Sequence, residues 1–242
     1  MSAPAPAPVP ALRVEALEAW YGRARVLFGV DLALARGTVK VLLGRNGAGK
    51  TSTLKAIAGI MPRVAGRVLV DGRDVAGWAP HRIAREGVGL VPETRRIFRG
   101  LTVRENLEVG RRAAPAGGGW DEARVFALFP ALEPLAGRRG GQLSGGEQQM
   151  LAIGRTLMGN PWLVLLDEPA EGLAPVIVDQ MAEAIVAMRA AGTTVLLAEQ
   201  NLAFARCVAD SAAIIERGRI VQDGPLAGLA DRADLAGPLA PG

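Results

Sequence analysis

The run Gly44-Arg45-Asn46-Gly47-Ala48-Gly49-Lys50-Thr51 restricts this chain more than any other feature, because it fits G-x-x-x-x-G-K-[ST] and sits between a strand-like Val39 to Leu43 and a helix-like Ser52 to Ala58. Its glycines let the backbone curl until successive N–H groups, with those opening the helix at Ser52, point at phosphate oxygens. Lys50 would set its ammonium near the outer phosphates, and Thr51 would offer its hydroxyl to Mg²⁺. The loop alone implies a bound nucleoside triphosphate and leaves kinases, GTPases and motors open.

A second chemical feature follows Leu163-Val164-Leu165-Leu166, which runs straight into Asp167-Glu168. In an open parallel sheet, ligands sit beyond the carboxyl ends of the strands, so both acids would face the phosphate loop. Asp167 suits holding Mg²⁺ through its water shell. Glu168 suits accepting a proton from a water that attacks the γ-phosphate. Two acids at a strand end are otherwise ordinary turn residues, and the phosphate loop is what gives this pair a chemical reading.

Short β-branched and Leu-rich runs alternate with turns and amphipathic stretches, which predicts an α/β fold with a largely parallel sheet. Val39 to Leu43, Val88 to Val91, Leu163 to Leu166 and Val195 to Ala198 are its expected buried strands. Leu12 to Ala16, Arg67 to Val70 and Arg219 to Asp223 alternate in polarity and predict a flanking antiparallel section. Between Glu93 and Met158 helix-like segments replace strands, at Thr102 to Ala113, Asp121 to Leu128 and Gly146 to Met158, with loops at Pro115 to Gly119 and a flexible Ala136 to Gln142. The expected division is a Pro/Ala-rich tail over 1–10, one domain over 11–235 with its core at 11–92 and 159–235 and a helical lobe at 93–158, and a tail over 236–242.

Half of the 242 residues are apolar, enough for a real core, yet no run approaches the roughly 18 residues that a membrane-spanning helix needs. The single Cys207 excludes an internal disulfide and, with no secretory leader, predicts a cytoplasmic chain. A net charge of +4 comes from scattered basic residues, which argues against nucleic acid and suits a surface near anionic lipid headgroups.

Leu143-Ser144-Gly145-Gly146-Glu147 contains a capping box, Ser144 with Glu147 three residues later, opening a helix whose apolar Met150, Leu151, Ile153, Leu157 and Met158 fall largely on one face. The exposed amides and the Ser144 hydroxyl would also hold a phosphate-sized anion.

Taken together in this order and spacing, Gly44 to Thr51, Leu143 to Gln148 and Leu163 to Glu168 resemble the ATPase subunits of ABC transporters over Leu12 to Asp223. That resemblance implies a RecA-like P-loop NTPase core with an antiparallel β section and an inserted α-helical lobe. It further implies that two subunits sandwich two ATP molecules, with Ser144, Gly145, Gly146 and Glu147 contacting ATP in trans. Tyr21 matches the aromatic that stacks on adenine, with a core aromatic as the alternative, and Glu171 to Ala174 matches the segment where the subunits touch.

Most ABC ATPases place Gln at the position of Glu93 and His at that of Gln200. Glu93 as a carboxylate suits Mg²⁺, beside Thr51 and Asp167. Gln200 can donate a hydrogen bond to the γ-phosphate without acting as acid or base, which leaves Glu168 with the proton chemistry. The only histidine, His81, reads as a helix-start or surface residue.

Val91 to Phe98, Leu143 to Ile153, Asp167 to Pro175 and Glu199-Gln200-Asn201 are similar to one of the two ATPases of bacterial branched-chain amino-acid importers, with Thr94, Gly154 and Thr156 departing from that pattern. This implies a peripheral subunit on the cytoplasmic face of the inner membrane. Its partners would be a second ATPase subunit, distinct or identical, two membrane permease subunits and, indirectly, an external substrate-binding protein. An importer of urea or short amides and a non-transport ABC ATPase are the alternatives. The latter class usually carries a coiled-coil insertion, a second ATPase unit or a long basic arm, none of which is present.

Overall fold

The computed structural model describes residues 10–113 and 118–229. The first half contains strands β1 (Leu12–Tyr21), β2 (Ala24–Leu34) and β3 (Val39–Leu43), helix α1 (Lys50–Ile57), strands β4 (Arg63–Val70) and β5 (Arg73–Asp74), helix α2 (Pro80–Arg85) and strand β6 (Val88–Val91). Helices α3 (Val103–Gly110), α4 (Glu122–Leu128) and α5 (Gly145–Leu157) follow, with two 3₁₀ turns between α4 and α5. The chain returns to β7 (Leu163–Asp167), α6 (Pro175–Ala190), β8 (Thr194–Glu199), α7 (Leu202–Val208), β9 (Ser211–Glu216), β10 (Arg219–Pro225) and α8 (Leu226–Leu229).

These strands form two sheets, a four-stranded antiparallel one ordered β2-β1-β4-β5 and a six-stranded one ordered β10-β9-β3-β8-β7-β6. In the larger sheet only β10 runs antiparallel to its neighbour. Its central strands are mostly apolar, Lys40 and the terminal Asp167, Thr194 and Glu199 apart, because both faces are covered. Val41, Val164, Leu166, Val195 and Leu197 join a core shared with α5, α6 and α7. Leu42, Leu163, Leu165, Leu196 and Ala198 point the other way, into a core shared with α1 and the antiparallel sheet. The register pairs Leu43 with Glu199 and Asp167 with Ala198, so the phosphate loop, the acid pair and Gln200 all leave one edge of the sheet.

Several expectations need correction. Arg219 to Asp223 belongs to β10 on the edge of the six-stranded sheet, not to the antiparallel section. Strands β2 and β9 and helix α6 were not anticipated. The expected flexible run Ala136 to Gln142 is fastened: Val103 N–H donates to the Arg138 carbonyl (2.9 Å), Gly140 N–H donates to that of Leu101 (2.8 Å), and Thr102 bridges to Arg139. The predicted Pro115 to Gly119 loop and the tails fall largely outside the described residues. His81 does stand exposed in the first turn of α2, as expected.

The three helices after β6 are held by polar anchors as well as by apolar contact. Thr102 with Glu105 and Ser144 with Glu147 make complete capping boxes on α3 and α5. Asn106, fully buried, accepts from Phe98 N–H (2.8 Å) and donates to the carbonyls of Phe98, Leu101 and Thr102. The chain leaving Glu93 is thereby tied to α3. Gly154 departs from the relatives' pattern for a packing reason: a Cβ there would lie 2.7 Å from Val125 Cγ1. Thr156 has the complementary reason, since its methyl fills the space left by Gly89 while its hydroxyl donates to the Ala152 carbonyl (2.9 Å).

The closest approach is at Gly110, where a Cβ would lie 2.1 Å from the Arg155 carbonyl oxygen. Because backbone opposes backbone there, Gly110→Ala is expected to separate α3 from α5 and cost about 1–3 kcal/mol. A urea titration with an unchanged slope and a lower midpoint would show it; an unchanged midpoint would mean that the seam can widen freely.

Candidate functional site

At the carboxyl edge of the six-stranded sheet the loop after β3 and the first turn of α1 border an open cleft of about 450 Å³. Gly47 and Gly49 adopt φ of 77° and 115°, left-handed values that a side chain would resist, and they turn the loop back over α1. Helix α1 starts at Lys50 with no side-chain cap on its first turn, so its opening N–H groups remain available to an anion. Asn46, Gly47, Gly49, Lys50, Thr51 and Ser52 line the cleft. Arg45 is exposed beside them, whereas Gly44 and Ala48 serve the loop's framework. Ala48 N–H donates to the Arg45 carbonyl (3.1 Å), and the Ala48 carbonyl accepts from Gly218 N–H (2.7 Å).

Lys50 is only 3% exposed, and its ammonium donates to the carbonyls of Gly44 (2.7 Å) and Arg45 (3.2 Å) and pairs with Glu168 Oε1 at 3.0 Å. Glu168, 8% exposed, has φ of 48°, a strained value for a residue with a side chain. Its N–H donates to the Ala198 carbonyl (3.0 Å), which fixes that conformation, and its Oε2 accepts from Gln200 Nε2 at 3.5 Å. Beside this pair Thr51 Oγ1 donates to Asp167 Oδ1 (2.9 Å).

Around the buried Lys50 ammonium the carboxylates crowd. Burial, and then the charges of Glu168 and Glu93, raise the Asp167 pKa above its ordinary value, against the Thr51 hydrogen bond and the charge of Lys55. Glu171 is raised by desolvation, then by the charge of Glu168 and a hydrogen bond with it. Glu199 is raised first by burial, with the N–H groups of Asn201, Gln200 and Ala170 opposing and the charge of Glu168 adding.

The structure thus brings Lys50 and Gln200 onto Glu168 and Thr51 onto the adjacent Asp167, and puts the exposed Glu93 on the cleft wall. It does not bring the other candidates there. Tyr21, 45% exposed at the end of β1, is no core residue, and it is not on the cleft wall. Ser144, Gly145, Gly146 and Glu147 open α5 elsewhere; Gly145 lies against the Arg95 guanidinium and Gly146 against Ile177 in the first turn of α6. Sequence reasoning missed Val26 on the cleft wall and the buried Glu199, and it read Glu171, which also lines the cleft, only as part of the segment where subunits touch. Glu199 carried the same signal as Asp167, an acid closing an apolar strand.

The sequence pattern of the family described as ABC transporter matches residues 27–171, more than half of the chain. The high-affinity branched-chain amino acid transport ATP-binding protein BraG of Pseudomonas aeruginosa is 41% identical over 211 residues, covering 87% of this chain and 91% of BraG. The lipopolysaccharide export system ATP-binding protein LptB of Escherichia coli K12 is 36% identical, covering 86% of this chain and 87% of LptB. Among solved structures, the ADP conformation of MJ1267, an ATP-binding cassette of an ABC transporter, superposes with a TM-score of 0.78 at 26% identity over 95% of this chain and 96% of that one. The matched region begins in β2, crosses the phosphate loop and ends just past the acid pair, in a fold that a solved cassette shares almost end to end: the chain belongs to the ABC transporter family, as an ATP-hydrolysing subunit.

Proposed function

We propose that this subunit energises a membrane importer of branched-chain amino acids, with Glu168 as the base of ATP hydrolysis. The contact of Glu168 with both Lys50 and Gln200 at the mouth of the phosphate loop is the observation that carries the chemistry. The 41% identity to BraG supports the substrate class.

In this reading the phosphates enter the cradle of Gly44 to Ser52, and Lys50 exchanges its contact with Glu168 for the outer phosphates. Glu168, released from that pairing, accepts a proton from the attacking water as the bond between the γ-phosphorus and the bridging oxygen breaks and ADP departs. Gln200 donates to the γ-phosphate or orients the water, and Tyr21 stacks on adenine.

For Mg²⁺ the donor set fits. A hydroxyl and a carboxylate 2.9 Å apart, with Glu93 facing the same space, are hard oxygen ligands, and a divalent cation would relieve the repulsion that raises Asp167. Thr51, Asp167 and Glu93 would hold it, and it would offset charge on the phosphates. Among the described residues no cluster of three or more His, Cys, Asp or Glu side chains could hold a metal alone, so phosphate and water oxygens complete the shell.

Ser144, Gly145, Gly146 and Glu147 lie away from this subunit's own cleft, which supports their acting on ATP bound to a second ATPase subunit. The helices over 93–158 then pass closure to two permease subunits, to which an external binding protein delivers substrate. We place the subunit peripherally on the cytoplasmic face, where the ATP it would draw on is held; no helix among the described residues is long and apolar enough to cross a membrane.

Three outcomes test this reading. Reconstituted with its permease and binding protein, the subunit is expected to drive ATP-dependent uptake of leucine, isoleucine and valine, and Glu168→Gln to abolish uptake and slow turnover about a hundredfold or more while retaining ATP in a stable dimer. Uptake confined to short amides would overturn the substrate class; normal turnover would overturn the base. Tyr21→Ala is expected to weaken binding of a fluorescent ATP analogue about fivefold or more, and unchanged binding would remove Tyr21 from the site.

The third concerns Asp167, whose folded-state pKa lies above its unfolded value. Such an acid costs stability that is fully expressed above the folded pKa and vanishes below the unfolded one. Nucleotide-free Asp167→Asn is therefore expected to melt above the unmodified protein at neutral pH, with the gap closing as pH falls toward 3.8. Thermal midpoints measured across pH will show whether it does.

A further inference from the structure

Strand β8 ends on Glu199, a residue that makes three connections at the edge of the site. Its carbonyl accepts from Gly44 N–H (3.3 Å), the first residue of the phosphate loop. Its Oε2 accepts from the N–H groups of Gln200 (3.1 Å) and Asn201 (3.2 Å). The residue just before it, Ala198, holds the N–H of Glu168.

The carboxylate is 3% exposed; it also feels the N–H of Ala170, two residues past Glu168, but its Oε1 makes no hydrogen bond of good geometry. An ionisable group left in that state costs free energy that an apolar residue of similar size would avoid. Helix capping does not account for it: α7 already has a cap, since Asn201 Oδ1 accepts from Phe204 N–H at 3.1 Å. Its two full hydrogen bonds lie upstream of that helix, on the two peptides that carry Gln200.

Gln200 needs such fixing. It is exposed, and it reaches Glu168 at 3.5 Å, the limit of a hydrogen bond, so small shifts of its backbone would break the contact. We infer that Glu199 is a positioning residue for hydrolysis, a buried acceptor that holds the Gln200 backbone so that its amide meets Glu168 and the γ-phosphate. This rests on the proposed reading of Glu168 and Gln200 as the hydrolytic pair. Glu199 is not on the cleft wall and acts through Gln200.

The test is ATP turnover by the reconstituted importer carrying four variants of this chain. Glu199→Met keeps the volume and removes both oxygens; it is expected to lower kcat about ten- to a hundredfold with KM for ATP within about twofold. Glu199→Gln retains an oxygen that can accept the same two N–H groups, and its kcat is expected to return to within about threefold of the unmodified value. Gln200→Ala lowers kcat by itself, and adding Glu199→Met to it is expected to cost less than about threefold more, because the second residue acts through the first.

Losses that multiply in the double variant, a wild-type kcat in Glu199→Met, or a change confined to KM would each overturn the role of Glu199 and leave the hydrolytic pair standing. A Gln200→Ala protein at the unmodified rate would overturn the pair, and this inference with it. Should Glu199→Met not fold, Glu199→Ala takes its place under the same criteria.

Discussion

One buried ammonium organises the acidic end of this protein. Asp167, Glu168, Glu171 and Glu199 approach one another closely enough for the charge of Glu168 to raise the other three, and Lys50 is the cation in direct contact with Glu168. Carboxylates gathered on this scale would drive the strand ends apart in a flexible chain. Here a parallel sheet buried on both faces fixes the strand ends, and the register of β3, β7 and β8 leaves the acids nowhere to go. Apolar packing thus sustains an electrostatic arrangement that is unfavourable by itself and is eased when phosphate and a divalent cation take up the donors and acceptors.

How much of this could be read from the sequence depended on whether a signal was local. Strands β3, β6, β7 and β8 are apolar on both faces and stood out from their surroundings. Strand β2 carries its signal only in its second half, where buried Val30, Leu32 and Leu34 alternate with exposed Asp31 and Ala33, and β9 opens with the small Ser211-Ala212-Ala213. Helix α6 buries Met181, Ala184, Ile185 and Met188 yet also leaves Val176 and Val186 exposed, so no single face announced it. For β10 the alternation was visible and the partner was not, since pairing is decided by residues distant in the chain.

The same distinction holds within the site. The phosphate loop and the Asp167-Glu168 pair are contiguous, and their chemistry follows from residue types in order. Glu199 ends an apolar run as Asp167 does, but its orientation into the protein toward the Gln200 and Asn201 amides could not be read from that. The helix-opening motif at Ser144 was legible as a capping box, and the structure agrees in detail: Ser144 N–H donates to Glu147 Oε2 at 2.7 Å, and Glu147 N–H donates to Ser144 Oγ at 3.3 Å. A well-formed helix start leaves open amides and a hydroxyl at Ser144, which is what the proposed action on a second subunit's ATP would use.

The left-handed backbone of Glu168 has a consequence for how such a protein can change over time. The residue combines a strained φ with a carboxylate paired to the buried Lys50 ammonium, so Gly or Asn there would ease the backbone while leaving that ammonium without its partner. Backbone strain and charge pairing therefore pull in opposite directions at this one position. A lineage that lost this acid would be expected to change Lys50 as well, because the two are settled together or not at all.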